Sequence, residues 1–208
     1  MNRGRLKLAL IFAAFLGPLL AAFAWYYGGG DAPATRATTN HAPLLAPPLA
    51  LRGFANPAAD GGDGADAGAP APAPAFAFNL DALKRRWTVV HLLPESCAAE
   101  CRAALYNTRQ ARLALGRDAP RVRRVFIAAG RAQLASLAAA HPDATRLLRA
   151  AGGLENQLIR LRRCRNLNPA DALLIDPLGN VMLVIPATLD PRLLLKDLKK
   201  LLKLSRVG

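Results

Sequence analysis

An uncharged apolar run lies near the amino terminus and precedes segments with very different hydrophobic patterns. It reads LALIFAAFLGPLLAAFAWYY from Leu8 to Tyr27. As a helix it would span about 30 Å, the thickness of a bilayer core. Aromatic side chains close its carboxyl-terminal end at Trp25–Tyr27, and three basic residues precede it. This distribution predicts a single-pass membrane anchor over residues 1–30 with a cytoplasmic amino terminus.

A cleavable signal peptide is the alternative interpretation of the same run. Ala22-Phe23-Ala24 resembles a small-residue cleavage site, and Pro18 would interrupt the helix before it. The full spanning length and the bulky aromatic end favour an uncleaved anchor. Either interpretation places the rest of the chain outside the cytoplasm.

Residues 31–78 lack any hydrophobic period of a strand or a helix. Ala, Pro, Gly and Asp dominate this segment, which includes DGGDGADAGAPAPAPA. Such a composition buries too little apolar surface to offset the entropy of ordering, so we expect a disordered, semi-stiff linker. Short apolar clusters at Leu44-Leu45 and Leu49–Leu51 leave open whether part of it packs on the edge of the following domain.

Residues 79–208 alternate between strand and helix patterns. Four β-prone runs predict the strands Trp87–Leu93, Val122–Ala128, Ala172–Ile175 and Val181–Ile185. Helical spacing extends over Cys97–Leu115, over Ala132–Arg163 with breaks at His141-Pro142 and Gly152-Gly153, and over Pro191–Leu204. The sequence DPLGN from Asp176 predicts a turn that makes the last two strands an antiparallel hairpin.

The resulting order of elements is β-α-β-α-β-β-α. Two parallel strands joined by a right-handed crossover, followed by a hairpin and a covering helix, are typical of the thioredoxin arrangement. The last helix is leucine-rich on one face and lysine-rich on the other, so it could also lie on a membrane. The sheet needs a cover, which favours packing against it. We therefore predict an α/β, thioredoxin-like domain.

The domain is strongly basic. The chain has 28 Lys and Arg against 14 Asp and Glu, and all of the resulting charge of +14 belongs to the residues from Lys84 onward. Such a surface attracts anionic lipid headgroups or an acidic protein face. Nucleic acid is the usual partner of such charge, but an exported domain rarely meets it.

Two cysteines at the start of the first domain helix carry the candidate chemistry. Cys97 and Cys101 are four residues apart, so both sulfurs would lie on one helix face, close enough to bind each other or one ion. Unpaired N–H groups at a helix start favour their thiolate forms. Binding of a soft ion such as Cu(I), reversible disulfide exchange and an inert disulfide all suit the pair. The short loop that a bridge would close favours the functional roles.

Two stretches of the domain resemble the Sco/SenC proteins over about residues 86–204: WTVVHLLPESCAAEC before a helix, and ALLIDPLGN before a strand. The resemblance implies a thioredoxin-fold protein of the bacterial inner membrane, with its domain in the periplasm, that helps to mature the copper centre of cytochrome c oxidase. It implies copper binding by Cys97, Cys101 and a distant histidine. The histidine would lie eight residues before Asp176, where this chain has Asn168. The third ligand of the family is therefore missing.

Four other residues could substitute for that ligand. Cys164, four residues before Asn168, is the best of them, although a free buried cysteine is the plainer interpretation. His91 in the first domain strand is expected to be a packed residue, and His141 before Pro142 is expected to cap helix carbonyls. His41 lies in the linker and has no supporting pattern.

Three functions follow from these observations. The first is a non-enzymatic assembly factor that keeps copper, or the thiols of the oxidase copper site, in the right state, with an oxidase subunit or another respiratory assembly factor as its partner. The second is a thiol–disulfide oxidoreductase with Cys97 and Cys101 as catalytic residues. The third is a docking protein whose cysteines are vestigial and whose basic face binds an acidic subunit or lipid.

Overall fold

The computed structural model describes residues 3–28, 40–53, 55–57, 77–150 and 153–205. The chain divides into two compact units, Met1–Thr38 and Thr39–Gly208. The first unit contains helix α1, Arg3–Gly28. Among the residues described, no helix has both the length and the apolar character needed to cross a membrane. The anchor over residues 1–30 stays a prediction.

The second unit is a mixed sheet covered by helices on both faces. Its strands are β1 (Leu44–Ala50), β2 (Ala55–Pro57), β3 (Ala77–Asn79), β4 (Trp87–Leu92), β5 (Val122–Ala128), β6 (Ala144–Leu148), β7 (Ala172–Ile175) and β8 (Asn180–Ile185). Its helices are α2 (Leu80–Leu83), α3 (Ala99–Leu113), α4 (Arg131–Ala138), α5 (Leu154–Arg165) and α6 (Pro191–Leu204), with a 3₁₀ turn over Gly116–Arg121.

Six of these strands form one sheet in the order β1-β8-β7-β4-β5-β6, and β2 pairs with β3 separately. β4, β5 and β6 run parallel to one another, whereas β7 is antiparallel to both β4 and β8. The predicted parallel pair and the predicted hairpin are therefore confirmed. Every residue of β4 and of β7 is buried, as expected for central strands covered on both faces.

Side chains of alternate residues divide the core between the two faces of the sheet. Val90 and Val125 pack with the leucines of α5 on one face. Val89 and Val122 pack on the other face with apolar residues of α3 and α6, including Leu198. The leucine face of α6 therefore covers the sheet, as its amphipathic pattern predicts.

Two strands of the six-stranded sheet, and the separate pair β2 and β3, lie outside the predicted order. Ala132–Arg163, predicted as interrupted helix, contains α4, β6 and α5, and β6 adds to the parallel edge of the sheet. Residues 44–50, predicted as linker, form β1 against β8 because Leu45 and Leu51 are each only 7% exposed and bury apolar surface on the sheet. The rest of the predicted linker lies mainly outside the described residues.

The turn between β7 and β8 has the predicted chemistry. Oδ1 of Asp176 accepts hydrogen bonds from the backbone N–H groups of Leu178 and Asn180 at 2.9 and 2.8 Å. Gly179 has a φ of +91°, a conformation that residues with a Cβ rarely adopt. A Cβ there would also lie 2.9 Å from a terminal methyl group of Leu80, which would have to shift, so the backbone conformation is the main reason for glycine at this position.

Candidate functional site

The cysteine pair lies where the chain passes from the carboxyl end of β4 into α3. β4 ends at Leu92, and α3 begins at Ala99, after Ala98 in extended backbone. Cys97 and Cys101 flank this helix start and form a disulfide with their Cα atoms 5.2 Å apart. The sequence leaves open whether the two sulfurs bind one ion or each other, and in the structure they are bonded to each other.

The two sulfur-bearing residues differ in their access to solvent. Cys101 is 5% exposed and packs in an apolar cluster with Leu105 and Phe126. Cys97 is half-buried at the edge of the same cluster. Nη1 of Arg102 donates a 2.8 Å hydrogen bond to the carbonyl of Cys97 and holds the loop that precedes the helix. A reactant from solvent therefore reaches Cys97 before Cys101.

Asn168, at the position where the Sco/SenC resemblance implies a histidine, lies beside the cysteine loop. Its Nδ2 donates to Oε1 of Glu100, between the two cysteines, at 2.9 Å. Its Oδ1 accepts from the backbone N–H of Ala170 at 2.8 Å, and its backbone N–H donates to Asp171 at 3.2 Å. The position that the resemblance indicates for a third ligand therefore lies in a loop next to the cysteine pair. The side chain at that position, Asn168, binds the carboxylate of Glu100.

Cys164 does not complete a metal site with the pair. It lies on α5 as an exposed, free thiol, contrary to the expectation that it is buried. In the described parts of the chain, no three or more His, Cys, Asp or Glu side chains are grouped so that they could hold a metal ion. The prediction of Cys164 as a third ligand is therefore not supported by its position.

Each of the three histidines has a structural partner. Nε2 of His91 lies 2.9 Å from Oγ1 of Thr108, and burial, followed by the charge of Arg124, holds the pKa of His91 well below 6.5. His141 packs edge-on against Phe126, and burial lowers its pKa. Nδ1 of His41 lies 2.9 Å from Asp197, so the part of the predicted linker that contains His41 is attached to α6.

A buried ion pair under α3 is the main feature that sequence reasoning missed. Arg124 is completely buried in β5, and its Nη1 lies 3.2 Å from Oδ1 of Asp143. Burial lowers the pKa of Arg124 to about 10. Burial alone would raise the pKa of Asp143, but the charge of Arg124 and its hydrogen bond lower it overall. The sequence VRRVFIA contained a sign of this burial, because side chains alternate along a strand and Arg124 therefore points to the face of the sheet that α3 covers.

The cation also contacts the apolar cluster of the disulfide. Its guanidinium lies 5.0 Å from the centre of the Phe126 ring, within the range of a cation–π interaction. Its Nη2 donates a 2.7 Å hydrogen bond to the carbonyl of Leu105 in α3. Phe126 and Leu105 both pack with Cys101. The ion pair therefore fixes the helix that carries the disulfide.

The domain matches a known family over more than half of the chain. Residues 87–205 match the family model described as "Transmembrane-like, thioredoxin-like, C-terminal domain". The chain belongs to this family. The match extends from β4 through α6 and confirms the predicted thioredoxin-like α/β fold. No curated protein matches the sequence.

Solved Sco structures share the fold of this family member at low sequence identity. Bradyrhizobium japonicum ScoI with copper bound is 16% identical, with a TM-score of 0.51, over 73% of this chain and 98% of that chain. BsSco is a member of the Sco family of cytochrome c oxidase assembly proteins with an identified disulfide switch. It is 14% identical, with a TM-score of 0.53, over 76% and 96% of the two chains. The domain therefore has a Sco-like thioredoxin fold.

A protein from Bacteroides thetaiotaomicron described as a candidate protein disulfide isomerase is similar to the same extent. It is 12% identical, with a TM-score of 0.53, over 74% of this chain and 89% of that chain. The fold of this family member is thus shared by copper-binding Sco proteins and by thiol–disulfide proteins, so the residues of the site must distinguish the two functions.

Proposed function

We propose that this protein is a membrane-anchored, periplasmic, Sco-like assembly factor for cytochrome c oxidase that changes the redox state of thiols through Cys97 and Cys101. The observation that carries this function is the disulfide at the start of α3, with one accessible and one buried cysteine. BsSco, which has a similar fold, supports it as an assembly protein with a disulfide switch.

The exchange begins with a thiolate of a partner dithiol. It attacks Sγ of Cys97, a mixed disulfide forms, and the Cys97–Cys101 bond breaks with Cys101 leaving as a thiolate. The second partner thiolate then attacks the partner sulfur of the mixed disulfide and releases Cys97 as a thiolate. Two electrons pass from the partner to the pair. In the reverse direction, the reduced pair reduces a partner disulfide.

The position of the pair at a helix start supports this chemistry. The first backbone hydrogen bond of α3 runs from Arg102 to the carbonyl of Ala98. The preceding N–H groups therefore have no acceptor within the helix, and such free donors at a helix start stabilise a nearby thiolate. Asn168 binds the Glu100 carboxylate, whose charge would otherwise oppose the thiolate more strongly.

Membrane anchoring rests on the amino-terminal unit. The run from Leu8 to Tyr27 is uncharged, and in α1 the side chains of Phe12, Phe15 and Leu19 are 59%, 80% and 64% exposed. A helix surface this apolar needs a cover, and a bilayer supplies one. The three basic residues before the run favour a cytoplasmic amino terminus and a periplasmic domain.

Trapping of the mixed disulfide tests the redox function. In full-length protein with Cys164→Ser as background, Cys101→Ser leaves the accessible Cys97 as the nucleophile, whereas Cys97→Ser leaves the buried Cys101. A synthetic dithiol peptide, oxidised and then mixed with each variant, should form a stable adduct with the Cys101→Ser protein and little with the Cys97→Ser protein. Equal adduct formation by the two variants would contradict the assigned order of attack.

The reduction potential of the pair separates a working disulfide from an inert one. We expect a potential near those of exchange proteins, about −120 to −270 mV, measured by equilibration with glutathione or dithiothreitol and gel shift after alkylation. A value below about −300 mV would identify a structural disulfide instead. Retention of oxidase assembly in cells after replacement of both cysteines by serine would favour the docking function.

Copper binding by the reduced pair is a second candidate, and the fit of the residues to it is incomplete. Copper is bound in B. japonicum ScoI, which has a similar fold. Cys97 and Cys101 would supply two soft sulfur ligands to Cu(I) here, but Asn168 binds Glu100 and no third ligand is grouped with the pair among the described residues. Anaerobic Cu(I) titration of the reduced full-length protein tests this function. Retention of no more metal than a Cys97→Ser variant would exclude it.

A further inference from the structure

A cavity of about 360 Å³ lies beside the disulfide. The end of β4 with Leu93 and Pro94 forms one wall, and the end of α5 with the loop after it forms the other. Arg149, Arg162 and Arg163 contribute its charged groups, and no acidic residue lines it. The cavity therefore combines apolar walls with three positive charges.

Two of the three arginine charges, those of Arg149 and Arg162, are held in place by neutral partners. Nη1 of Arg162 donates to the carbonyl of Leu92 at 3.1 Å, and its Nη2 donates to the carbonyl of Asp171 at 2.6 Å. Nη2 of Arg149 donates to the carbonyl of Leu93. In the described part of the chain, none of the arginines that line the cavity has a carboxylate within ion-pair distance. Backbone carbonyls orient these cations without neutralising them.

Two buried donors add to this imbalance. The Nε–H groups of Arg149 and Arg162 are buried and have no hydrogen-bond acceptor among the described residues. Burial lowers the pKa of Arg162 to about 10, the carboxylate of Asp171 raises it, and the charge of Arg149 lowers it further. Unsatisfied buried donors and adjacent like charges are both unfavourable, and an anion in the cavity would relieve the repulsion between the adjacent charges.

Residues that line the cavity also contact the surroundings of the disulfide. Leu93, in its wall, packs in the same apolar cluster as Cys101 and Cys97. Pro169, on the opposite wall, follows Asn168, whose side chain binds Glu100 between the cysteines. A polypeptide whose thiol reaches Cys97 would therefore pass close to the arginines.

We propose that this cavity binds an acidic side chain of the polypeptide whose thiols exchange with Cys97. The inference rests on the redox function proposed above and names the recognition element of its substrate. Guanidinium groups bind carboxylates with two parallel hydrogen bonds, and a carboxylate on the substrate would position the thiol. The complementary charge raises the rate of encounter.

Paired peptides test the proposal. One synthetic dithiol peptide carries Asp and Glu beside its cysteines, and the other carries Asn and Gln at the same positions. With full-length Cys164→Ser protein at low ionic strength, we expect the acidic peptide to reduce the disulfide about fivefold faster. Arg163→Gln, at an exposed position of the cavity, should remove most of this preference.

Arg160→Gln is the matched control, because Arg160 is an exposed arginine of α5 outside the cavity. It should retain the preference for the acidic peptide. Arg163→Glu provides a second variant and should make the acidic peptide slower than the neutral one. The melting temperature of each variant establishes that it is folded.

The outcomes separate the two proposals. Failure of both peptides to exchange with the disulfide would count against the redox function itself. Equal rates for the two peptides, or equal effects of the Arg163 and Arg160 variants, would overturn the carboxylate site alone. Stabilisation by inorganic phosphate that is lost in Arg163→Gln, together with equal peptide rates, would instead identify a phosphate site and also overturn it.

Discussion

The side-chain amide of Asn168 donates a 2.9 Å hydrogen bond to the carboxylate of Glu100, and this contact joins the loop after α5 to the first turn of α3. Glu100 is one of the three residues between the disulfide-bonded cysteines. The loop that would present a third metal ligand is therefore in place beside the cysteines. Its side chain, however, binds an acid of the protein itself, which favours thiol exchange over copper binding.

Asn168→His should give the reduced protein a higher affinity for Cu(I). An imidazole nitrogen at this position would lie in the loop that already contacts the residue between the cysteines, and imidazole suits copper. We expect affinity to rise at least about tenfold, measured by competition with a chromophoric Cu(I) chelator. Asn168→Ala is the matched control and should remain at the wild-type value. Equal affinities for the two variants would show that this loop does not approach the sulfurs.

The strands that the sequence predicts well are the four in the middle of the sheet. β4, β5, β7 and β8 have continuous β-prone runs because helices cover both faces of the sheet. The two that it misses, β1 and β6, are the two edges. β1 contains Pro47 and Pro48, and β6 has an arginine directly before its two leucines, so neither has the composition of a central strand.

In the candidate site, too, sequence reasoning found some features and missed others. The cysteine pair follows from its spacing and its place at the start of a well-marked helix, whereas the position of Asn168 is implied by the resemblance to the Sco/SenC proteins. The contacts of Asn168 with Glu100 and of Arg162 with Leu92 join residues 68 and 70 positions apart. Local sequence patterns carry no information on contacts between residues so far apart. These contacts depend on the tertiary fold, which brings α5 and the loop after it next to β4 and α3.

Acid should destabilise the domain through His91. Burial, then the charges of Arg124 and Arg162, hold its pKa well below the value of about 6.5 in an unfolded chain. Below that pH the unfolded chain binds a proton that the folded chain does not, so the free energy of unfolding falls as pH decreases, until the folded pKa is reached. His141, whose pKa burial also lowers, acts in the same direction.

The expected slope is up to about 1.4 kcal/mol per pH unit for each such histidine. Urea unfolding of the oxidised protein between pH 7.5 and 5 measures it. His91→Gln retains a partner for Thr108 and should reduce the slope, whereas an unchanged slope would place the titrating group elsewhere.

Asp143→Asn should strongly destabilise the fold. The carboxylate pairs with the fully buried Arg124 at 3.2 Å, and its loss would leave that cation without a counter-charge. The expected loss is about 3–5 kcal/mol in the free energy of unfolding. Asp118→Asn removes the partner of Arg121 in a more exposed pair and should cost less than about 1 kcal/mol. Similar losses for the two variants would mean that burial adds nothing to the first pair.

Asp197→Ala should release the segment that contains β1 from the domain. This carboxylate on α6 is 2% exposed, accepts from the backbone N–H groups of His41 and Ala42 at 2.9 and 2.8 Å, and also contacts the His41 ring. Removal leaves these donors without their acceptor, at a cost of about 1–3 kcal/mol. Because pairing with β8 and the burial of Leu45 and Leu51 still hold the segment, we expect faster hydrogen exchange over residues 42–51 while β4 and β5 stay protected.

Asp81→Ala is the control for this variant, because its carboxylate is 78% exposed and pairs with the exposed Lys84. Its exchange rates over residues 42–51 should equal those of the wild type. Faster exchange across the whole sheet in Asp197→Ala would contradict a local role for this carboxylate. It would mean that the contact of Asp197 with His41 and Ala42 stabilises α6 on the core, and that β1 is released only through global unfolding.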